Sequence, residues 1–403
     1  MKIDTPIIES LMDTDKYKFT MGYVFFKEFS DLLVQYKFKN RSDINLLPFK
    51  DEIIEQLKYL CSLRFTNEEL EFLHLRNPYF SRAYIEFLKN LKLNFDYLDI
   101  REKDGDLYIG THKDVPLIFT TWFEINVLTI VEEVYTRHTY PNFDYGEADK
   151  ILDKKIIDAK EYFHNRANFT FADFITRRRV NRKRHETVLG RLSSELPSNC
   201  FVGTSNVYFA KKFDIGDIGT MAHEYLQVGQ GLTDQVTPLG SQRFMLQKWA
   251  DTYRGTLGIA LTDVVGFDAF LRDFDLYFAT LFSGCRHDSG DPFEWCEKLI
   301  AHYEKLGINP NSKTAVFSDS VSFPLMFKLI ERFRGRINVS FGIGTNLVND
   351  LGCDFKTLQM VMKIIECNGN PVAKISDSAG KGMCEDPEYL NYLKKVFKIT
   401  ARR

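Results

Sequence analysis

The chain has 403 residues, 44% of them hydrophobic, and a formal charge of -2 at pH 7. That length supports a large core spread over two or three domains, and the near-neutral charge excludes a general polyanion binder, whose affinity comes from neutralised phosphates. Seven cysteines form no CxxC pair and so point to neither structural zinc nor a disulfide framework, while no apolar run reaches the ~20 residues a membrane span needs, so a reducing cytoplasm is the expected compartment.

In chain order, Asp13-Thr14-Asp15-Lys16-Tyr17-Lys18 reads as a helix start capped by Asp13 and leads into an apolar stretch from Phe19 to Phe26. The ring of Tyr17, near that helix start, suits either stacking on a flat ligand or packing under a neighbouring helix. Leu33 to Arg41 alternates as a strand does, and residues 47 to 90 read as helices broken at 64–66 and 76–78. Three short runs, 93–97, 107–109 and 116–119, predict antiparallel strands of a small α+β domain. Trp122, Ile125, Leu128, Val131 and Tyr135 then fall at helical spacing over 122–140, and 151–167 repeats that period. Arg177, Arg178 and Arg179 follow Asp173-Phe174-Ile175-Thr176; three arginines in a row fit a solvated helix start or a cationic clamp for phosphate groups. A helix is expected over 181–192.

From residue 200 the pattern becomes regular. Short apolar runs at 200–206, 257–263, 277–283, 313–319 and 337–341 are each followed by a helical stretch or a polar cluster, and their C-terminal ends carry Thr, Ser, Asp, Asn or Arg. This alternation predicts parallel βα units, and polar chemistry at strand C-termini favours a (β/α) barrel over an open doubly wound sheet. Residues 361–381 read as a strand, an Asn368-Gly369-Asn370-Pro371 turn and a returning strand over 372–376.

The strand ends collect Thr204, Ser205, His223, Asp263, Arg286, Asp288, Ser289, Asp319, Gly342, Gly344 and Thr345. Such a set offers cations and backbone donors for a charged ligand, carboxylates for a divalent ion, and an imidazole. Gly342-Ile343-Gly344-Thr345 fits a phosphate nest or, equally, a tight turn at a strand end. His223, in Gly219-Thr220-Met221-Ala222-His223-Glu224, suits a general acid or base, a metal ligand, or a nucleophile that carries a phosphoryl group. Gln227 stands where a zinc-binding HExxH motif needs its second histidine, so zinc is not expected. His287 is expected to point away from Arg286 and Asp288 and to be structural.

Taken together and in order, these motifs give the chain a resemblance to the bacterial-type nicotinate phosphoribosyltransferases. The resemblance is carried by Asp13 to Lys18, Asp173 to Arg179, Phe201 to Asn206, Gly219 to Glu224, Gly258 to Asp263, Arg286 to Pro292, Phe317 to Asp319 and Phe341 to Thr345. It implies an α/β fold, an irregular, incomplete (β/α) barrel of type II phosphoribosyltransferase kind with an N-terminal α+β domain. Boundaries are expected at 1–125 for that domain, 126–195 for a helical linker with the arginine motif, 196–365 for the barrel and 366–403 for a C-terminal hairpin and helix. The implied activity is ATP-dependent synthesis of nicotinate mononucleotide and diphosphate from nicotinate and 5-phosphoribosyl 1-diphosphate, a ligase reaction in NAD biosynthesis, through a transient phosphohistidine at His223. Mg2+ is the implied cofactor, ATP a co-substrate and a homodimer the implied assembly, with no nucleic acid or membrane partner.

By motif match, nicotinate is expected on Tyr17, Phe174, Thr220 and Arg286. The phosphoribosyl and diphosphate groups are expected on Arg177, Arg178, Arg179, Ser289, Gly342, Gly344 and Thr345. Asp288 or Asp319 is the expected carboxylate for the ribosyl cation and for the metal. Ile175, where relatives commonly have glycine, and His287, where some have an apolar residue, are departures from the family pattern. Nicotinamide or quinolinate phosphoribosyltransferase chemistry and a catalytically inactive nucleotide-binding barrel are the alternative readings; quinolinate, with two carboxylates, would ask for more positive charge than a single Arg286.

Overall fold

The structure, a computed structural model, describes residues 5–165, 169–352, 355–378 and 380–399. Twelve strands form two sheets among the described residues. The larger sheet holds β4 (Thr170–Asp173), β5 (Phe201–Thr204), β6 (Gly216–Asp217), β7 (Ile259–Leu261), β8 (Gly284–His287), β9 (Thr314–Phe317) and β10 (Asn338–Ile343). Its order is β6-β5-β4-β10-β9-β8-β7 and every pairing is parallel. These strands are short and mostly buried because helices cover them, as parallel sheets require. The sheet curls into half a barrel whose edges, β6 and β7, do not pair.

One stretch of chain spans that seam. Ile218 N–H donates to the Thr204 carbonyl of β5 at 2.8 Å, and two residues later the Thr220 hydroxyl donates to the Ile259 carbonyl of β7 at 2.9 Å. The helix His223–Gly231 then begins. His223 therefore stands at the break in the barrel, with neither edge strand continuing past it.

The second sheet is antiparallel, with β1 (Val34–Asn40), β2 (Leu98–Lys103), β3 (Asp106–Thr111), β11 (Met360–Cys367) and β12 (Asn370–Pro371) in the order β12-β11-β1-β3-β2. β11 runs along the full length of β1, from Val34 opposite Cys367 to Asn40 opposite Met360. The chain thus leaves the barrel and returns to complete the N-terminal domain. Between the sheets lies the helix Phe123–Thr139, buried at every position from Phe123 to Thr136. A helix buried on all sides marks the centre of a fold rather than a linker.

Several expectations change. The run at 93–97 ends in a single 3-10 turn, Phe95–Tyr97, and 116–119 becomes the helix Leu117–Thr120, since Pro116 sets its start. The run 277–283 is mainly the helix Leu276–Leu281, because the Asp275 carboxylate accepts the N–H groups of Tyr277 and Phe278, and the strand begins only at Gly284. β4, expected in the helical linker, lies inside the barrel sheet between β5 and β10, and β11, expected mostly in the barrel, belongs to the other sheet. The hairpin turn forms at Asn368-Gly369, both with positive φ, but the returning strand covers only Asn370–Pro371. Beyond it Lys374 makes one bridge, to Met383.

Close approach of β5 and β6 depends on Gly203. Its φ is +143°, and a Cβ there would meet the Gly216 carbonyl oxygen at 1.9 Å. Because the contact is backbone, no side chain can yield. Gly203→Ala is expected to lower stability by ~3 kcal/mol or more, the upper range for an overpacked core, read as a fall in Tm; an unchanged Tm would show that β6 is free to move away.

Candidate active site

His223 opens its helix and is 4% exposed. Its Nε2 lies 2.9 Å from Asp263 Oδ1 and 3.4 Å from Asp288 Oδ2. Asp263, two residues beyond β7, is held on its other oxygen by the Ser289 hydroxyl at 2.6 Å and the Lys374 ammonium at 2.9 Å. Asp288, just past β8, accepts from the Ser318 hydroxyl at 2.9 Å, stands 4.0 Å from Lys374, and leaves 27% of its side chain exposed.

A histidine beside two carboxylates is normally driven towards its charged form. Here burial, and next the charge of Lys374, outweigh Asp263 and Asp288 and push the ring down to about 4. The contact to Asp263 is therefore a hydrogen bond from a neutral imidazole, not an ion pair. Burial alone would raise the Asp263 carboxyl, but His223 and Lys374 reverse this and hold it well below its usual range. Asp288 is likewise held at about 2 by His223 and Arg286 against the effect of burial. A ring N–H fixed on Asp263 leaves the lone pair on the opposite nitrogen, as a nucleophile requires. A phosphoryl group carried there would lie at the N-terminus of a nine-residue helix, where backbone dipoles favour negative charge.

Around this centre the arginines divide. Arg179 is fully buried, donates to both Asp13 oxygens at 2.6 and 2.9 Å and to the Ile7 carbonyl at 3.1 Å, and lies 3.4 Å from Glu133. Its guanidinium is consumed by the scaffold, so the expectation that it binds diphosphate is corrected. Asp13, expected as a helix cap, is its partner, and Asp15 occupies the cap position instead. Arg177 and Arg178 point otherwise. Arg177 is near Tyr17, Glu124, Asp288 and Asp15, which together hold it charged against burial. Arg178 is pushed down to about 10, by burial and then by the charge of Arg177, and its Nε is buried with no acceptor. The Nε of Arg286, on β8 beside Asp288, is also buried without an acceptor. Unpaired guanidinium donors on two arginines that both act on Asp288 are what an anionic ligand would complete.

Other expected residues are distributed as follows. Phe174 lies against Gly342, where a Cβ would come within 2.3 Å of its ring, and its carbonyl is 3.2 Å from a Cβ built at Gly344. Gly342 is thus required by Phe174, and Gly344 is only tightly packed on its carbonyl, so a phosphate nest is not needed to explain Gly342. Thr345 opens only a four-residue helix, Thr345–Val348. The Ser289 hydroxyl is spent on Asp263 and on the Asp377 N–H. Asp319 is paired with Lys381 and the Ser320 hydroxyl, outside the His223 cluster. Thr220 spends its hydroxyl on the barrel seam. His287 is buried, its Nε2 3.2 Å from the Gly290 carbonyl and its ring against Trp295 and Phe317, as its structural role requires.

Two members of the site carry no role in the sequence pattern. Asp263 is one polar strand end among many. Lys374 lies in the expected returning strand 372–376, and its signal is a lysine inside the apolar stretch Val372-Ala373-Lys374-Ile375. Asp288 suits magnesium best, since both Asp263 oxygens are occupied and Asp319 is neutralised by Lys381, whereas Asp288 keeps an exposed carboxylate for a hydrated hard cation. His223, Asp263 and Asp288 also bring a nitrogen and two carboxylates within 4.8 Å of one another, but Lys374 already balances Asp263.

Lys374→Met removes the positive charge facing His223, so the ring should titrate higher than about 4, towards 6.5. Because the folded ring binds fewer protons than the unfolded one, wild-type stability should fall as pH drops from 6.5 through 4 and be insensitive to this group above that window. Ring NMR shifts of His223 across pH measure the first and denaturant unfolding at each pH the second; an unshifted midpoint in Lys374→Met would contradict the assignment.

Comparisons with known proteins agree over nearly the whole chain. Residues 12–132 match the N-terminal domain of the nicotinate phosphoribosyltransferase (NAPRTase) family and residues 169–401 match the family's main profile. Nicotinate phosphoribosyltransferase of Burkholderia mallei is 48% identical over 98% of both chains, and that of Ralstonia pickettii is 46% identical over 98% of this chain and 100% of its own. Among solved structures, nicotinate phosphoribosyltransferase from Vibrio cholerae superposes with a TM-score of 0.93 at 35% identity, covering 99% of this chain and 96% of the other. The enzyme from Porphyromonas gingivalis does so with a TM-score of 0.90 at 30% identity, covering 98% and 100%.

Proposed function

Because the chain belongs to the nicotinate phosphoribosyltransferase family, we propose that it joins nicotinate to 5-phosphoribosyl 1-diphosphate and couples this to ATP through a phosphoryl group carried on His223. The observation that supports this reading most is an imidazole kept neutral between two carboxylates, first by burial and then by the charge of Lys374. A general base would be better served by a pKa near the working pH; a ring at about 4 is instead a nucleophile available at any physiological pH.

In the transfer, the pyridine nitrogen forms a bond to the ribosyl anomeric carbon while the bond from that carbon to diphosphate breaks, its electron pair leaving with the diphosphate. Arg286, with its unpaired Nε, takes the nicotinate carboxylate, and Phe174 and Tyr17 supply ring faces for the base. Arg177 and Arg178 face the leaving diphosphate, where fixed positive charge stabilises the group as it departs. Asp288, ionised at neutral pH, stands where a carboxylate stabilises the developing ribosyl cation. Magnesium, when bound at Asp288, supplies charge neutralisation for the diphosphate oxygens.

In the coupled step, the His223 lone pair forms a bond to the terminal phosphorus of ATP and ADP leaves with the electrons of the broken oxygen bond. Water later breaks the phosphorus–nitrogen bond and releases phosphate. A phosphoryl group of charge near -2 on Nδ1, across the ring from Asp263 and Asp288, adds repulsion towards both carboxylates, so its arrival and departure switch the local geometry.

Arg286→Met should raise the KM for nicotinate about 10- to 100-fold, the scale of one lost charged hydrogen bond, and His223→Asn should remove ATP stimulation while leaving slow transfer. Diphosphate release, measured with and without ATP, tests both; equal ATP stimulation in His223→Asn would overturn the coupling.

A further inference from the structure

The stretch that carries His223 and the helix that carries Tyr17 run against each other step by step. A Cβ at Gly219 would come 3.3 Å from both the Lys16 side chain and the Tyr17 backbone nitrogen. The Thr20 hydroxyl donates to the Thr220 carbonyl at 2.5 Å, and Ala222 N–H donates to the Met21 sulfur at 3.1 Å. The contact ends in an ion pair: Lys18 donates to Glu224 at 2.6 Å. Lys18 immediately follows Tyr17, and Glu224 immediately follows His223.

That pair is the hinge of a closed network. Lys18, fully buried, also donates to Glu124 at 2.7 Å, and Glu124 takes a second ion pair from Lys363 at 3.2 Å. The other contacts of Glu224 are the Thr121 hydroxyl at 2.9 Å and the Tyr36 hydroxyl. Two lysines and two glutamates balance in charge, and none of them takes part in the chemistry described above.

Buried ion pairs add little stability compared with apolar side chains of the same volume, because desolvation offsets the attraction. What they add is geometry. An ammonium fixed by two carboxylates allows little sliding of one backbone along the other, whereas a greasy contact allows more. The zipper from Gly219 to Glu224 therefore makes any displacement at His223 a displacement at Tyr17.

We infer that Lys18 and Glu224 are positioning residues that couple the phosphorylation state of His223 to the placement of the Tyr17 ring, and so to the affinity for nicotinate. This rests on the phosphohistidine reading above and adds the route by which the phosphoryl group reaches the base site. Added negative charge on Nδ1, across the ring from Asp263 and Asp288, pushes on the first turn of the helix His223–Gly231; Glu224 is in that turn, and Lys18 carries the motion to the next residue, Tyr17.

The test is the ratio of the nicotinate KM without ATP to that with ATP, together with acid-labile phosphate on the protein, in the wild type, Glu224→Gln, Lys18→Met and Thr20→Val. The wild-type ratio should be about 10 or more, on the scale of coupled sites, and should fall to within about twofold of unity in Glu224→Gln and Lys18→Met, with an intermediate value in Thr20→Val. Acid-labile phosphate should persist in all four. A purely structural role would lower Tm and kcat but leave the ratio as in the wild type, and that result overturns the inference. Should Lys18→Met fail to fold, Glu224→Gln and Thr20→Val, which nearly conserve volume, decide by the same ratio. Absence of phosphate on the wild type overturns the phosphohistidine and this coupling with it, whereas phosphate with an undiminished ratio in the variants overturns the coupling alone.

Discussion

The site depends on one ammonium. Asp263 and Asp288 both face the His223 ring and favour its charged form. Burial opposes them most strongly, and Lys374, 2.9 Å from Asp263, adds its charge to that opposition, so the ring stays neutral. The arrangement is costly in topology. Lys374 comes from the segment that follows β11 and β12, after the chain has left the barrel and rejoined the N-terminal sheet. The proton state of the central residue is thereby tied to correct assembly of both sheets.

The seam in the barrel explains why His223 is placed where it is. A closed barrel would bury the residues after β6 behind a continuous wall of backbone hydrogen bonds. Here residues 218–223 bridge from β5 to β7 by two hydrogen bonds and leave the start of a helix exposed to the site. The same opening lets the N-terminal helix press against the stretch from Gly219 to Glu224, which brings Tyr17 and the arginines to one place. Arg179, bound to Asp13 in the interior, anchors the turn from which Arg177 and Arg178 project.

Much of this was legible in the sequence. The βα alternation after residue 200 gave the parallel sheet, and polar residues at strand ends marked the face where His223, Asp263, Arg286 and Asp288 meet. What was not legible depends on contacts distant in sequence. Asp13 and Arg179 are 166 positions apart, so three consecutive arginines looked alike although one is scaffold. Gly342 and Gly344 fit a phosphate loop by composition, yet it is the Phe174 ring, from another strand end, that needs the missing side chain of Gly342, while Gly344 lies against the Phe174 carbonyl. The run 277–283 is apolar enough for a strand, and only the capping Asp275 turns it into a helix. Lys374 was hidden because a lysine on a returning strand ordinarily faces water, and nothing local shows that this one faces a buried carboxylate.

The central claim is that His223, neutral and held through one ring nitrogen by Asp263, accepts a phosphoryl group from ATP. Phosphorus NMR of the protein after incubation with ATP and magnesium tests it directly, since the two phosphohistidine isomers have distinct shifts. The account predicts an acid-labile phosphorus–nitrogen signal from His223, absent in His223→Asn, with the phosphoryl group on Nδ1, the nitrogen opposite the bond to Asp263. A protein that synthesises the nucleotide with ATP stimulation but shows no such signal, or carries it on Nε2, would contradict it.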